Sequence, residues 1–453
     1  MARDALTVHE SDLPLLVDLY EMAMAQAYWS EGMNQRATFS LFFRRKPNHR
    51  NFLLACGQQH ITRVIQSLRF SGEHLKRLSQ LDMFDPAFLD WLAEFRFSGD
   101  VHALPEGTPV FPQEPLLEVE APIIEAQILE SLIMNYVHLE SVIASKAVRL
   151  VEAAQGRPVV DFGMRRMHGL DAAYRGVRAY ATAGLAGTSN ILAGQDFDLP
   201  VKGTMAHSFV QAHDDEMAAF KAYARLYPGT TLLVDTYDTE RAVRGIVDWL
   251  KQDDEANIGA IRLDSGDLAE LARRCRKILD DAGLKGIKIM ASSGLDEYKI
   301  QKLVRDQAPI DGFGVGTALG AAEDAPSLEL AYKLTEYAGE PSMKSSTGKQ
   351  SFPGRKQVFR QCDRNGRYSG DLITLRGGDA PGEALLVPTM EQGEVLEHMI
   401  PDVKTARDNA RDAIARLPDQ VRALEENDAY PVTIGEELKG LQTETLQHLN
   451  LEI

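Results

Sequence analysis

From Val159 to Thr335 short β-rich runs alternate with helix-like ones, and this alternation restricts the possible folds more than any other feature of the chain. The runs are Val159–Gly163, Val201–Ala206, Thr231–Thr236, Ala260–Leu263, Ile287–Ala291, Gly312–Val315 and Ala331–Thr335, with helical stretches such as Arg241–Lys251, Leu268–Ala282 and Glu297–Arg305 between most of them. Repeated strand–helix units build a parallel sheet or barrel. A unit of about 30 residues repeated over about 180 predicts a compact or irregular βα barrel rather than two separate folds.

The flanks read differently. Before residue 122 the strand-like pieces Val101–Leu104, Pro109–Phe111 and Leu116–Val119 are punctuated by Pro105, Gly107, Pro112 and Pro115, the grammar of a small sheet. Ile124, Ile128, Leu132 and Tyr136 then recur at helical spacing, in a pattern that runs to Glu152 and is stopped by Gly156-Arg157-Pro158. The expected organisation is an N-terminal α/β domain over 1–122, a linking helix over 123–156, a βα-barrel catalytic domain over 157–340, and a basic loop, strands and C-terminal helices over 341–453. Val403–Leu417 and Gly435–Leu449 are the polar helices expected at the end.

Charge and cysteine usage exclude several functions. The 453 residues carry 49 Lys and Arg against 66 Asp and Glu, a net −17, which argues against a nucleic-acid partner because phosphate backbones select basic surfaces. A local basic pocket for a small anion remains compatible with an acidic whole. Cys56, Cys275 and Cys362 are odd in number and widely spaced, so neither a disulfide framework nor a cysteine zinc site is expected. No run approaches the roughly 20 apolar residues of a membrane helix, and the Met1–Ala5 start lacks the apolar core of a signal peptide. The expected setting is reducing and cytoplasmic, with no membrane partner.

In parallel sheets, functional residues collect just past the carboxyl ends of the strands. Those positions hold Arg165, Arg166 and His168; then His207; then Asp235 and Asp238; then Arg262, Asp264, Ser265 and Asp267; then Ser292, Ser293 and Gly294; then Gly314-Val315-Gly316-Thr317. Each is weak alone, since an Asp after a strand is often a helix N-cap. Together they place polar or glycine chemistry at strand ends whose bodies are apolar, as one shared mouth would. Small residues with free N–H groups at a strand-to-helix turn suit a monophosphate. Asp235 and Asp264 suit ribose hydroxyls or Mg²⁺, which prefers oxygen ligands, and the arginines suit anionic oxygens. A second basic set, Lys344 to Lys349 followed by Pro353-Gly354-Arg355-Lys356, lacks Walker spacing and reads either as a solvated loop or as a clamp for nucleotide phosphates.

Taken together, the segments Asp18-Leu19-Tyr20, Asp161-Phe162-Gly163-Met164-Arg165-Arg166, Gly187-Thr188-Ser189-Asn190, Gly203-Thr204-Met205-Ala206-His207-Ser208, Leu233-Val234-Asp235-Thr236-Tyr237-Asp238, Ile261-Arg262-Leu263-Asp264-Ser265-Gly266-Asp267, Gly312-Phe313-Gly314-Val315-Gly316-Thr317 and Pro353-Gly354-Arg355-Lys356-Gln357 resemble nicotinate phosphoribosyltransferases, within the type II phosphoribosyltransferases. The resemblance spans roughly residues 14 to 360 and fades beyond about 375. It implies an irregular βα barrel plus an α/β domain built from N-terminal and C-terminal segments. It also implies an enzyme that joins nicotinate to 5-phosphoribosyl 1-pyrophosphate with coupled ATP hydrolysis, in NAD synthesis. The implied assembly is a homodimer with shared active sites.

By motif position, His207 resembles the histidine that ATP phosphorylates. Phe162 and a partner chain's Tyr20 resemble the two faces that enclose the pyridine ring. Arg165 and Arg262 correspond to the nicotinate carboxylate contacts, and Asp235 and Asp264 to ribose or Mg²⁺ contacts. Ser292, Ser293, Gly294, Gly314, Gly316 and Thr317 correspond to the monophosphate pocket. Arg44, Lys344, Lys349 and Arg355 are softer candidates for pyrophosphate or ATP. Some members carry a zinc knuckle near the C-terminus; only Cys362 stands there in this chain, so no zinc site is expected. The related nicotinamide-specific family carries an Asp where this chain has Ser189. A carboxylate there accepts from an amide and repels an acid, so Ser189 points to nicotinate. The competing readings are a nicotinamide phosphoribosyltransferase, a catalytically silent nucleotide-binding relative and a generic sugar-phosphate barrel enzyme.

Overall fold

Six short strands form a wholly parallel sheet in the order Gly187–Thr188, Val159–Asp161, Gly312–Val315, Lys288–Ala291, Ile258–Leu263 and Thr230–Leu233. The sheet curls into a half-barrel. The structure is a computed structural model that describes residues 8–346 and 351–449. Its chain divides into two units, Ile143–Pro326, which holds this sheet, and Met1–Val142 with Ser327–Ile453.

The strand cores are apolar and buried, and the helices that follow them start where a side chain satisfies the first free N–H groups. Asp238 accepts from Arg241 N–H at 2.8 Å and begins Thr239–Gln252. Asp267 accepts from Ala269 and Glu270 N–H and begins Leu268–Asp281, and Asp296 accepts from Lys299 N–H at 2.8 Å and begins Glu297–Arg305. Two of the strand-end aspartates noted in the sequence, Asp238 and Asp267, therefore serve as N-caps.

Three sequence expectations change. Val201–Ala206 is not a strand: only Val201 pairs, in an isolated bridge to Thr188, and the rest runs as coil to the helix His207–Gln211. Ala331–Thr335 does form a strand, Leu330–Tyr337, but it belongs to the other unit. There it pairs antiparallel with Arg36–Phe43, from Ala37 against Tyr337 to Phe43 against Leu330. The long helical stretch is also interrupted, as Ile123–Ile128 and then Glu130–Ala154.

In that other unit a seven-stranded antiparallel sheet interleaves early and late segments, in the order Glu340–Pro341, Leu330–Tyr337, Arg36–Phe43, Pro115–Pro122, Asp100–Ala103, Val387–Glu391, Glu394–Val395. Lys356–Cys362 and Tyr368–Leu375 are the centre of a four-stranded sheet. Its core holds the bidentate ion pair of Arg360 with Asp371, both buried, and Phe111 stacked on Tyr430 with ring centroids 3.9 Å apart. Among the described residues no helix is long and apolar enough to cross a membrane.

Candidate active site

The half-barrel brings the strand-end residues into one connected set. Val159–Asp161 lies beside Gly312–Val315, and Phe162 extends the pairing by one residue, donating its N–H to Val315 O at 2.8 Å. Asp161 is buried and both its oxygens are used: Oδ1 accepts from Gly163 N–H and Oδ2 from the Thr188 hydroxyl, each at 2.6 Å. Burial pushes its carboxyl up and these two donors pull the other way. Asp161 O also accepts from Ser189 N–H at 2.9 Å, so Ser189 is tied to the same strand end as Phe162.

Arg262 stands across from that ring. Its guanidinium carbon lies 5.9 Å from the Phe162 ring centroid, and Nη1 donates to the Thr204 hydroxyl. Burial lowers its pKa, and Asp264 and Asp235 counter that. An arginine remains charged under such a shift. Its Nε–H is buried and lacks an acceptor among the described residues. Arg165, exposed in the short 3-10 helix Met164–Arg166, is near enough to act electrostatically on Arg262.

The two acidic residues differ from the capping ones. Asp235 Oδ2 accepts from Asp264 N–H at 2.8 Å and from the Ser265 hydroxyl, while its Oδ1 is buried with no partner among the described residues. Asp264 Oδ1 accepts from the Ser292 hydroxyl, and its Oδ2 lies 3.9 Å from His207 Nε2. The other ring nitrogen of His207, Nδ1, is 3.1 Å from the Thr236 hydroxyl. His207 is partly exposed. An orphaned carboxylate oxygen beside a second carboxylate fits an oxygen-preferring cation such as Mg²⁺.

The remaining strand ends carry Ser293 and Gly294, which adopt successive positive φ values of 87° and 57°. Both are exposed, as is Thr317, which opens the short helix Thr317–Gly320 after Gly316. A non-glycine residue at positive φ costs energy and marks a backbone turned for a purpose.

Tyr20, Arg44, Lys344 and Arg355 belong to the other unit. Tyr20 is exposed at the start of the helix Leu19–Ser30, and burial, Glu130 and Glu21 push its phenol up. Arg355 faces Glu120 and Glu336 at 3.7 and 3.5 Å, and Lys356 is buried against Glu118 at 3.0 Å, so part of the basic segment neutralises acids of its own unit. Arg44 and Lys344 act together on Lys333, whose pKa is lowered by burial first and then by these two cations, with Glu130 opposing. Lys349 lies outside the described residues.

Sequence reading did not assign roles to Asp161, Thr188, Thr204, Thr236 or Lys333. The first four stand inside the segments that pointed to the mouth, beside the residues they hold. Lys333 carries no signal, because it sits within a strand.

A half-barrel with an aromatic ring, an arginine, paired carboxylates and a histidine at its strand ends is the architecture of a type II phosphoribosyltransferase. Human nicotinic acid phosphoribosyltransferase has the same fold, with a TM-score of 0.84 at 28% identity over 94% of this chain and 99% of that one. Nicotinate-nucleotide pyrophosphorylase of Pyrococcus furiosus shares it with a TM-score of 0.75 at 24% identity, over 91% of this chain and 98% of that one. Residues 15–138 match the nicotinate phosphoribosyltransferase (NAPRTase) N-terminal domain, and 158–359 match the nicotinate phosphoribosyltransferase (NAPRTase) family. Nicotinate phosphoribosyltransferase pncB2 of Mycobacterium tuberculosis is 50% identical over 428 residues, 94% of this chain and 92% of that one. Nicotinate phosphoribosyltransferase of Bacillus subtilis is 34% identical over 464 residues, 94% of each chain. The chain belongs to the nicotinate phosphoribosyltransferase family.

Proposed function

We propose that this chain joins nicotinate to 5-phosphoribosyl 1-pyrophosphate, giving nicotinate mononucleotide and pyrophosphate, and that ATP hydrolysis is coupled to the step through phosphorylation of His207. The observation that carries the reading is the convergence, on one sheet edge, of the Phe162 ring and Arg262 with the Asp235–Asp264 pair and His207. The flat, electron-poor pyridine ring stacks on Phe162. Its carboxylate pairs with Arg262 and Arg165, and the Ser189 hydroxyl donates to it where a carboxylate side chain would repel it.

The transfer passes through a loose, oxocarbenium-like state at the ribose C1, in which positioning and charge stabilisation do most of the work. Asp235 and Asp264 hold ribose hydroxyls or Mg²⁺; Mg²⁺, when bound, neutralises charge developing on pyrophosphate. Ser293, Gly294, Gly316 and Thr317 receive the 5-phosphate through main-chain N–H groups. His207 is held by Thr236 and faces Asp264, and its phosphorylation adds charge and acceptor oxygens beside the departing pyrophosphate. Arg44, Lys344 and Arg355 are the softer candidates, from the resemblance, for binding pyrophosphate or ATP. The working unit is a homodimer in which Tyr20 of one copy covers the ring bound on Phe162 of the other.

The test is a product assay with 5-phosphoribosyl 1-pyrophosphate and either nicotinate or nicotinamide, with and without ATP. Nicotinate mononucleotide, made faster with ATP present and with kcat/KM for nicotinate far above that for nicotinamide, is expected. A higher value for nicotinamide overturns the substrate assignment, and a rate indifferent to ATP overturns the coupling.

A further inference from the structure

A glycine in the body of a strand weakens it, and often marks a place where another group comes close. Gly314 is such a residue: it pairs with Val160 in the middle of the parallel sheet and is buried. Its φ is not in the left-handed region, so conformation does not require glycine there. Space does. A methyl group on Gly314 would lie 2.4 Å from Phe162 Cε2 and 2.6 Å from Cδ2, with Ser292 Cβ at 3.4 Å. At Gly316 the nearest atom to such a methyl is Phe162 O at 3.3 Å, and at Gly312 it is the flexible end of Met290.

Phe162 cannot back away as a whole. Its N–H is held by Val315 O, and the preceding Asp161 is clamped by Gly163 N–H and the Thr188 hydroxyl. Only the ring can move, and the Arg262 guanidinium lies within 5.9 Å of its centroid.

We infer that Gly314 is a positioning residue for the aromatic base: its bare backbone is the floor on which the Phe162 ring rests, and it does not serve the phosphate pocket to which the motif's pattern assigns it. This rests on the reading of Phe162 as the surface that stacks nicotinate. A side chain at 314 displaces the ring and so disturbs the surface on which the pyridine ring stacks, while Ser292 Cβ, at 3.4 Å, stays at ordinary contact distance and the phosphoribosyl end keeps its arrangement.

The experiment is a double-mutant cycle of Gly314→Ala and Phe162→Ala, with KM measured separately for nicotinate and for 5-phosphoribosyl 1-pyrophosphate and Tm for each protein. Gly314→Ala is expected to raise the nicotinate KM about tenfold and leave the other KM within about twofold, and its effects on nicotinate KM and Tm vanish in the Phe162→Ala background. A raised KM for 5-phosphoribosyl 1-pyrophosphate that persists without Phe162 overturns the inference and leaves the stacking reading intact. A nicotinate KM unmoved by Phe162→Ala overturns the stacking reading itself, and this inference with it. Should Gly314→Ala fail to fold, Gly314→Ala with Phe162→Leu decides: recovery of folded protein supports the steric floor, and no recovery overturns it.

Discussion

Glu21 shows how far one buried carboxyl departs from its ordinary behaviour. Burial pushes its pKa up to about 7 from 4.5, against two hydrogen bonds from Ser131, and Glu130 and Asp18 add to the rise. The native chain therefore binds more protons at Glu21 than the unfolded chain does between those two values. Stability falls as pH rises through that window, by about 3 kcal/mol in total. Glu21→Gln is expected to flatten the decline of Tm between pH 5 and 8, which a thermal melt series checks; a slope equal to wild type would exclude Glu21 as its source. At this scale the sequence anticipated which polar residues gather near one another at the strand ends, because apolar strand bodies leave only their ends for polar chemistry. It named Asp235 and Asp264 for ribose or Mg²⁺, but residue type alone did not show that Asp238 and Asp267, three residues further on in each case, are helix N-caps. Which of them meets the first free N–H groups of a helix depends on where that helix begins, and that is a matter of backbone path. The role of Gly314 was equally hidden, since the ring it accommodates comes from a strand about 150 residues earlier.

At the scale of elements, the helix Glu297–Arg305 follows directly on the turned backbone of Ser293 and Gly294, and its first residue anchors it. Glu297 is fully buried. It takes Lys146 Nζ on one oxygen and Arg149 Nε, at 2.8 Å, on the other, and Lys146 also reaches Asp324 at 2.8 Å. Burial alone would raise the Glu297 pKa, yet the two cations hold it below the usual carboxylate range. Its contribution is present at neutral pH and is lost as pH falls through that lowered value. Glu297→Gln leaves two buried cations facing a neutral amide and is expected to cost about 3 to 5 kcal/mol, read as a lowered urea midpoint. A midpoint within error of wild type would mean that solvent or Asp324 replaces the lost partner.

Elements were legible where a run was both apolar and bounded, as for Gly312–Val315 and Glu297–Arg305, whose limits agree with the sequence reading. Val201–Ala206 failed because its backbone pairs only at one bridge, where Thr188 N–H donates to Pro200 O and Lys202 N–H to Thr188 O, and no ladder continues beyond it. Ala331–Thr335 was recognised as a strand but placed in the wrong sheet, since alternation with period two reports burial of a face and not the identity of the neighbour.

For the whole molecule, the net charge of −17 coexists with a local group in which Arg44 and Lys344 each act on Lys333 inside one unit. Such a group concentrates anions locally while the remaining surface repels them. On the proposed dimer, each site is completed by the other copy, and this gives a prediction that no single chain can satisfy. Tyr20→Ala raises the nicotinate KM, and His207→Ala abolishes ATP hydrolysis. In a purified heterodimer of the two variants, one site joins an intact Tyr20 to an intact His207, so about half of the wild-type ATP-coupled rate per dimer is expected. Heterodimers no better than the two parents would show that Tyr20 does not act across the interface.

Asp161 has a wider consequence. One of its oxygens fastens the turn that carries Phe162, the other fastens Thr188, and its carbonyl fastens Ser189. In the proposed reading, the surface beneath the base and the side chain that reads its substituent thus hang from a single buried residue. On that reading, a shift in preference from acid to amide is made by exchanging a side chain on the fixed frame, as at Ser189, because moving the frame would displace the stacking ring as well.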